Sequence, residues 1–226
     1  MKFAVVDLET TGGKPSDGRI TEIGVVLMDD TNVEGTFQAL VDPGMPIQPF
    51  VQRLTGITDE MVQGKPQFSA IAEDLMGMLQ DRIFVAHNVQ FDSRFMMAEL
   101  KRCAIKYDPP RLCTVKLSRR FFPGLPSYSL HNLTESLSLP DFKHHRALAD
   151  ARAAAEILKL VYEKIGPEKL LKEVKSQVRS DIDFEMREKY HDEIKLERER
   201  ISAMRAVGVA FGNGQKPTTT NLMWLR

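Results

Sequence analysis

Lys2-Phe3-Ala4-Val5-Val6-Asp7-Leu8-Glu9-Thr10-Thr11-Gly12-Gly13 opens on a β-rich run and closes on two acids, two threonines and two glycines. Phe3 to Val6 has the β-branched and aromatic character of a short strand, and Asp7 with Thr10-Thr11-Gly12-Gly13 reads as its stop. On an extended backbone residues i and i+2 share a face, so Asp7 and Glu9 set two carboxylates side by side at the strand end. Like charges held that way repel, and the pair costs stability unless a proton or a cation comes between them. A hard divalent ion such as Mg²⁺ or Mn²⁺ takes carboxylate oxygens and keeps water within reach. Two acids at a solvated turn would give the same short string, so its meaning depends on what the rest of the chain supplies.

Moving outward, Ile20 to Met28 and Val33 to Val41 are two further strand candidates, with Asp29-Asp30-Thr31-Asn32 as the hairpin loop between them. Pro43, Pro46 and Pro49 then interrupt regular structure. Phe68, Ile71, Leu75, Met78 and Leu79 form a helical stripe, Ile83-Phe84-Val85-Ala86 is a short buried strand, and Phe91, Phe95, Met96 and Leu100 resume helical spacing. Leu130 to Leu137 and Ala147 to Ile165 are the last helices before Gly166-Pro167 closes the segment. A meander of strands followed by alternating strand and helix gives an α/β fold, a mixed β-sheet flanked by helices, over residues 1–166.

Beyond that point Leu170, Val174 and Val178 repeat at i, i+4, Tyr190, Ile194, Ile201 and Met204 follow looser helical spacing, and charges of both signs crowd between them. Residues 167–207 therefore read as a helical extension, either a solvated helix pair packed on the body or an arm for self-association or a partner such as a DNA polymerase. Residues 208–226 read as a flexible tail, with a Gly212 to Thr220 linker and an apolar tip, Leu222-Met223-Trp224-Leu225.

Composition narrows the class. Among 226 residues, 31 Lys and Arg balance 31 Asp and Glu, so bulk charge cannot be the basis of nucleic-acid binding, although a local basic patch can. Apolar residues at 42% suffice for a core. No apolar run approaches the roughly 20 residues of a membrane span, and the start lacks the apolar stretch of a secretory signal. Two cysteines, Cys103 and Cys113, make no disulfide framework or metal spacing, which favours a reducing, cytoplasmic setting.

Two more acidic elements follow. His87-Asn88-Val89-Gln90-Phe91-Asp92 leaves the buried strand and opens a helix, where an acid in the first turn is ordinarily a complement to the helix dipole. His145-Arg146-Ala147-Leu148-Ala149-Asp150 opens the long helix, with the imidazole just before it and the carboxylate in its early turns. Asp7, Glu9, Asp92, Asp150 and His145, in this order and context, resemble the DEDDh family of 3′–5′ exonucleases, most nearly the proofreading epsilon-subunit type of bacterial DNA polymerase III. The likeness covers residues 1 to about 165 and loses no acid; Leu54-Thr55-Gly56-Ile57-Thr58 and Ser129-Leu130-His131-Asn132-Leu133 add to it.

That resemblance implies a ribonuclease-H-like fold and hydrolysis assisted by two divalent ions, Mg²⁺ or Mn²⁺, roughly 4 Å apart over the scissile phosphate. It implies Asp7 bridging both ions, Glu9 and Asp150 completing one site, Asp92 serving the other largely through water, and His145 as general base in its neutral form. It also implies that Leu8, Thr10 and Thr11 meet the terminal nucleotide, while Phe91 packs either beside a base or in the core. His87 and Asn88 are expected to cap the helix or hold the loop, and Glu22 to be structural on its strand. Lys143 and Arg146 offer charge to phosphate, and Lys116 with Arg119-Arg120-Phe121-Phe122 mixes cations and aromatics as single-strand binders do. The expected activity is release of nucleoside 5′-monophosphates from single-stranded or frayed DNA 3′ ends in proofreading or repair. An RNA-directed exoribonuclease is the neighbouring reading, and a catalytically silent polymerase accessory would be expected to have lost an acid.

Overall fold

A computed structural model of the chain describes residues 1–140, 145–179, 181, 195, 196, 199 and 202. One compact unit spans Met1–Arg179, and a second unit, Ser180–Arg226, holds the few remaining described residues. The readings placed on Lys143, Tyr190, Ile194, Ile201, Met204, the linker and the apolar tip lie outside the described residues.

The sheet has five strands, β1 (Lys2–Thr10), β2 (Ile20–Asp29), β3 (Asn32–Leu40), β4 (Ile83–Ala86) and β5 (Arg111–Cys113), in the order β3-β2-β1-β4-β5. The first three form the expected antiparallel meander, closed by a tight turn in which Asp30 takes φ +53°. β4 and β5 then add in parallel to β1. The sequence reading ended the first strand before Asp7; the strand instead runs on through the acids to Thr10. Asp7, Leu8 and Glu9 face Gly24, Ile23 and Glu22 of β2, and that neighbour occupies the backbone groups which would otherwise end the strand. The two acids thus stand on paired backbone rather than on a loose turn.

Up to Ile165 the described residues form seven helices: α1 (Pro49–Thr55), α2 (Asp59–Val62), α3 (Phe68–Leu79), α4 (Val89–Arg102), α5 (Thr114–Phe121), α6 (Leu130–Ser136) and α7 (Ala147–Ile165). Pro49 sits in the first turn of α1, where its missing N–H is harmless, and Gly56 ends that helix at φ +71°. Side chains of β1 alternate between the sheet faces. Ala4, Val6 and Leu8 pack with Phe68, Leu75 and Leu79 of α3 and with Phe95, Met96 and Leu100 of α4. Phe3 and Val5 pack on the opposite face with Ala151, Ala154, Leu158 and Val161 of α7. Burying one Leu or Val of that stripe contributes about 1.5–3 kcal/mol, and the alanines between them let the helix lie close. Residues 167–179 continue in helix, and Leu170 and Val174 join the same α7-side core. Mixed strand directions with helices on both faces are the ribonuclease-H-like α/β arrangement.

Candidate active site

Parity along β1 decides where the acids point. Asp7 and Glu9 share the face of Phe3 and Val5, which is the face α7 covers. On β2 the residues opposite them are Gly24 and Glu22. A Cβ at position 24 would lie 2.2 Å from the Ala147 carbonyl carbon and 2.3 Å from the Leu148 nitrogen, so α7 begins directly against the strand backbone there. Only a residue without a side chain permits that approach. The approach sets the first turn of α7, and Asp150 within it, beside the two strand acids.

Asp150 is 7% exposed, and its Oδ2 accepts the backbone N–H of His145 at 2.9 Å. His145 takes φ +63°, a left-handed conformation, and its imidazole is exposed. One ligand atom from each of Glu9, His145 and Asp150 lies within 4.8 Å of the others. Asp92 arrives from the opposite face of the sheet. It is 3% exposed in the first turn of α4, which Asn88 opens at φ +75°, and its Oδ1 accepts the Leu8 N–H at 3.1 Å. That bond ties the α4 terminus to the strand between Asp7 and Glu9.

The electrostatics reflect the crowding. Asp7 is held well above the usual carboxylate range, first by burial and then by the charges of Asp92, Asp150, Glu9 and Glu22. Burial, with Asp150 and Glu22 adding to it, pushes Glu9 to about 8, and Arg146 relieves part of the rise. Asp92 is raised by burial, its own amide and that of Leu8 opposing and Glu9 reinforcing the shift. Crowded acids whose charged forms are disfavoured for want of a counter-charge suit a cation site. Four carboxylates with one imidazole suit a divalent ion that prefers oxygen and tolerates nitrogen. Among the described residues Glu9, His145 and Asp150 present atoms close enough to share such an ion, and Asp7 and Asp92 crowd the same acids.

The other expected contacts fall in varied places. The Leu8 side chain is buried in the α3–α4 core and its amide is given to Asp92. Thr10 and Thr11 are buried; the Thr10 hydroxyl donates to the Gly12 carbonyl at 2.7 Å, and the Thr11 hydroxyl accepts the Arg19 N–H at 3.0 Å. Both hydroxyls therefore shape the turn beyond the acids. Phe91 is half-buried against Phe95, with ring centroids 5.0 Å apart, on the edge of the core. His87 holds loops together, as its ring bridges the Thr114 hydroxyl at 2.9 Å and the Tyr128 carbonyl at 3.0 Å, and burial lowers its pKa. Arg119 lies over the Tyr128 ring and Arg120 over Phe121, while Arg120 also pairs with Glu173 at 2.9 Å. Cavities of about 540 and 620 Å³ lie around Tyr107, the larger reaching Ile83 at the start of β4, whereas the acids gather at the other end of the sheet.

The sequence reading left Glu22 as a structural residue and gave Arg146 to phosphate. In the structure the two are joined: the Arg146 guanidinium reaches both oxygens of Glu22, at 2.7 to 3.2 Å, and the Ala147 N–H donates to the same carboxylate at 3.0 Å. Gln38 adds a third donor at 2.8 Å. Burial alone would raise the Glu22 pKa, but these donors outweigh it and leave it lowered. The available signal was a charged residue in the middle of a strand, Ile20-Thr21-Glu22-Ile23-Gly24-Val25-Val26, with apolar neighbours on both sides.

Comparison with known proteins supplies the context. A family described as exonuclease matches residues 4–158. The 3′-5′ exonuclease DinG of Staphylococcus epidermidis is 37% identical over 163 residues, which is 72% of this chain but 18% of that protein. DinG of Bacillus subtilis is 37% identical over 166 residues, 73% of this chain and again 18% of the relative. The chain thus spans about a fifth of the length of these curated relatives. Among solved structures, Exonuclease X in complex with 5′ overhanging duplex DNA aligns over 72% of this chain and 92% of its own, at 31% identity and a TM-score of 0.59. An Exonuclease I structure aligns over 72% of this chain and 41% of its own, at 24% identity and a TM-score of 0.65, and shares the fold.

Proposed function

Because the chain belongs to the exonuclease family, a class of hydrolases acting on phosphodiester bonds, we propose that it removes nucleotides from the 3′ end of DNA as nucleoside 5′-monophosphates. The single observation that carries this reading is the meeting of Glu9, His145 and Asp150 within 4.8 Å, beside an Asp7 whose charge is unfavourable in the free protein. The DNA in the complex of Exonuclease X, and the 3′-5′ activity named for the DinG relatives, support the choice of substrate and direction.

A pair of divalent ions, Mg²⁺ or Mn²⁺, bound by the acids would polarise the phosphate and make water a better nucleophile near neutral pH. The chain's own residues do the rest. Glu9 and Asp150 would hold the ions together with Asp7, whose charge they and Asp92 oppose in the free protein, while Asp92 is fixed on the strand by the Leu8 amide. Asp150 also fixes the His145 backbone through the 2.9 Å bond from its amide. The neutral imidazole of His145, exposed at the rim, accepts the proton of the attacking water and passes it to solvent. Glu22 and Arg146 neutralise one another beside Glu9, so Arg146 is engaged within the protein and the charge on the phosphate would fall to the ions. Proofreading and repair are the settings in which such an activity serves. The extension over residues 167–207 is the part to which we give self-association or a polymerase, beyond the helix whose Leu170 and Val174 pack on the domain.

The test is a single-stranded DNA oligomer labelled at either end, with Mg²⁺ or with chelator. We expect a ladder shortening from the 3′ end with metal and none with chelator, and slower turnover of the RNA counterpart. Shortening from the 5′ end, or equal loss in chelator, would overturn the reading; faster turnover of RNA would transfer it to RNA.

A further inference from the structure

Glu22 is the most deeply buried charged residue near the acids, at 0% exposure, and two of its partners, Arg146 and Ala147, belong to one stretch of backbone. Arg146, one residue after His145, adopts the extended conformation that precedes α7, with φ −135° and ψ 118°. Its guanidinium closes on both Glu22 oxygens, and the next amide, Ala147 N–H, donates to Glu22 Oε2 at 3.0 Å. The carboxylate thereby grips the chain at two consecutive residues. Gln38 of β3 braces it from the far side at 2.8 Å. Beneath the grip, Gly24 lets Ala147 rest on the strand. His145 itself has the opposite character: its ring is exposed, its backbone sits at φ +63°, and the bond of its amide to Asp150 is what links it to the site. A side chain meant to take a proton must hold its place to within about 0.5 Å, and among the described residues no hydrogen bond to the imidazole supplies that.

We propose that Glu22 and Arg146 are positioning residues for hydrolysis, their ion pair locking the backbone at 146 and 147 so that His145 stands over Glu9 and Asp150. The inference rests on His145 being the general base. A charge-assisted, bidentate pair out of water is suited to the task, because its geometry is fixed in plane as well as in distance. It also reassigns Arg146, whose guanidinium is held by Glu22 instead of being offered to substrate. Glu22 stands directly across the sheet from Glu9, so the same pair sets the distance between the strand acid and the loop.

The experiment is a double-mutant cycle on the full chain, read as kcat and KM on labelled single-stranded DNA in Mg²⁺. Arg146→Ala is expected to lower kcat about 10- to 100-fold, the range for a catalytic group displaced by roughly 1 Å, with KM changed less than threefold. In a His145→Ala background the same substitution is expected to change kcat less than twofold, because the group it positions is gone. Truncating Arg146 leaves the Glu22 charge buried without its cation. The cycle is therefore repeated with Glu22→Gln and Arg146→Ala together, which removes that charge and keeps the fold. Loss of rate that multiplies with that of His145→Ala, or a rise in KM with kcat intact, overturns the inference alone and returns Arg146 to phosphate contact. A His145→Ala variant as fast as the wild type overturns the assignment of the base and this inference with it.

Discussion

Replacing Glu9 by glutamine should make the metal-free protein more stable while making it a worse enzyme. The Glu9 carboxyl rises from 4.5 to about 8, through burial and then the charges of Asp150 and Glu22. A carboxyl whose folded-state pKa lies above its unfolded value favours the fold while it is protonated. Its contribution is whole below pH 4.5 and fades as pH climbs toward 8. Each tenfold change in acidity corresponds to about 1.4 kcal/mol, so at pH 7 the loss would be about 3 kcal/mol for a group sealed from water. Glu9 is only partly buried, and screening there reduces the figure by roughly half, to about 1–2 kcal/mol. Glutamine carries no charge to lose. In chelator at pH 7 to 8 the variant should melt about 3–6 °C above the wild type, and at pH 4 the two should coincide. Titrating in Mg²⁺ should reverse the order, since an ion at a hundred times its dissociation constant stabilises the wild type by about 2.7 kcal/mol and the variant forfeits part of that. Thermal melts by circular dichroism at four pH values, with chelator and with Mg²⁺, read the whole pattern. A gain of equal size at pH 4 and pH 8, or a loss at both, would refute the account of repelling acids.

Asp7→Ala is expected to abolish cleavage with the circular-dichroism spectrum unchanged, because it removes an anion from a crowded group; a variant that degrades DNA at the wild-type rate would count against the metal site. His145→Ala should slow single-turnover cleavage by about 10²–10⁴-fold while DNA affinity in calcium, measured by fluorescence anisotropy, stays within threefold. Gly24→Ala places a Cβ 2.2 Å from the Ala147 backbone, so it should cost about 1–3 kcal/mol in a urea melt and lower kcat by displacing α7; a variant with unchanged melting and rate would show that the close approach is dispensable.

Much of this could be read from the chain because its longer elements carry their own periodicity. The bounds of α3 at Phe68–Leu79 and α7 at Ala147–Ile165 follow from apolar stripes and flanking breakers, and the structure has the same limits. β1 was cut short because Asp7 and Glu9 are poor strand residues by themselves; only pairing with β2 makes them acceptable, and that pairing is not local information. β5 and α5 were missed for a related reason, as three residues of strand and two turns of helix hold too little pattern to stand out. At the site, Asp7, Glu9, Asp92, His145 and Asp150 were legible as three motifs in a familiar order. Their electrostatic strain, and the part taken by Gly24, Glu22 and Arg146, depend on α7 meeting β2 across more than a hundred residues of sequence.

The left-handed backbone of His145 bears on how an inert form of this protein is best made. At φ +63° most residues with a β-carbon are mildly uncomfortable, whereas glycine is at ease and asparagine is among those that tolerate it. His145→Asn or His145→Gly would lose the imidazole and keep the amide that reaches Asp150, relaxing the loop where alanine would leave it strained. Such a variant would be the natural bait for trapping an uncut strand in crystals, because the same exchange that disarms the molecule also steadies it.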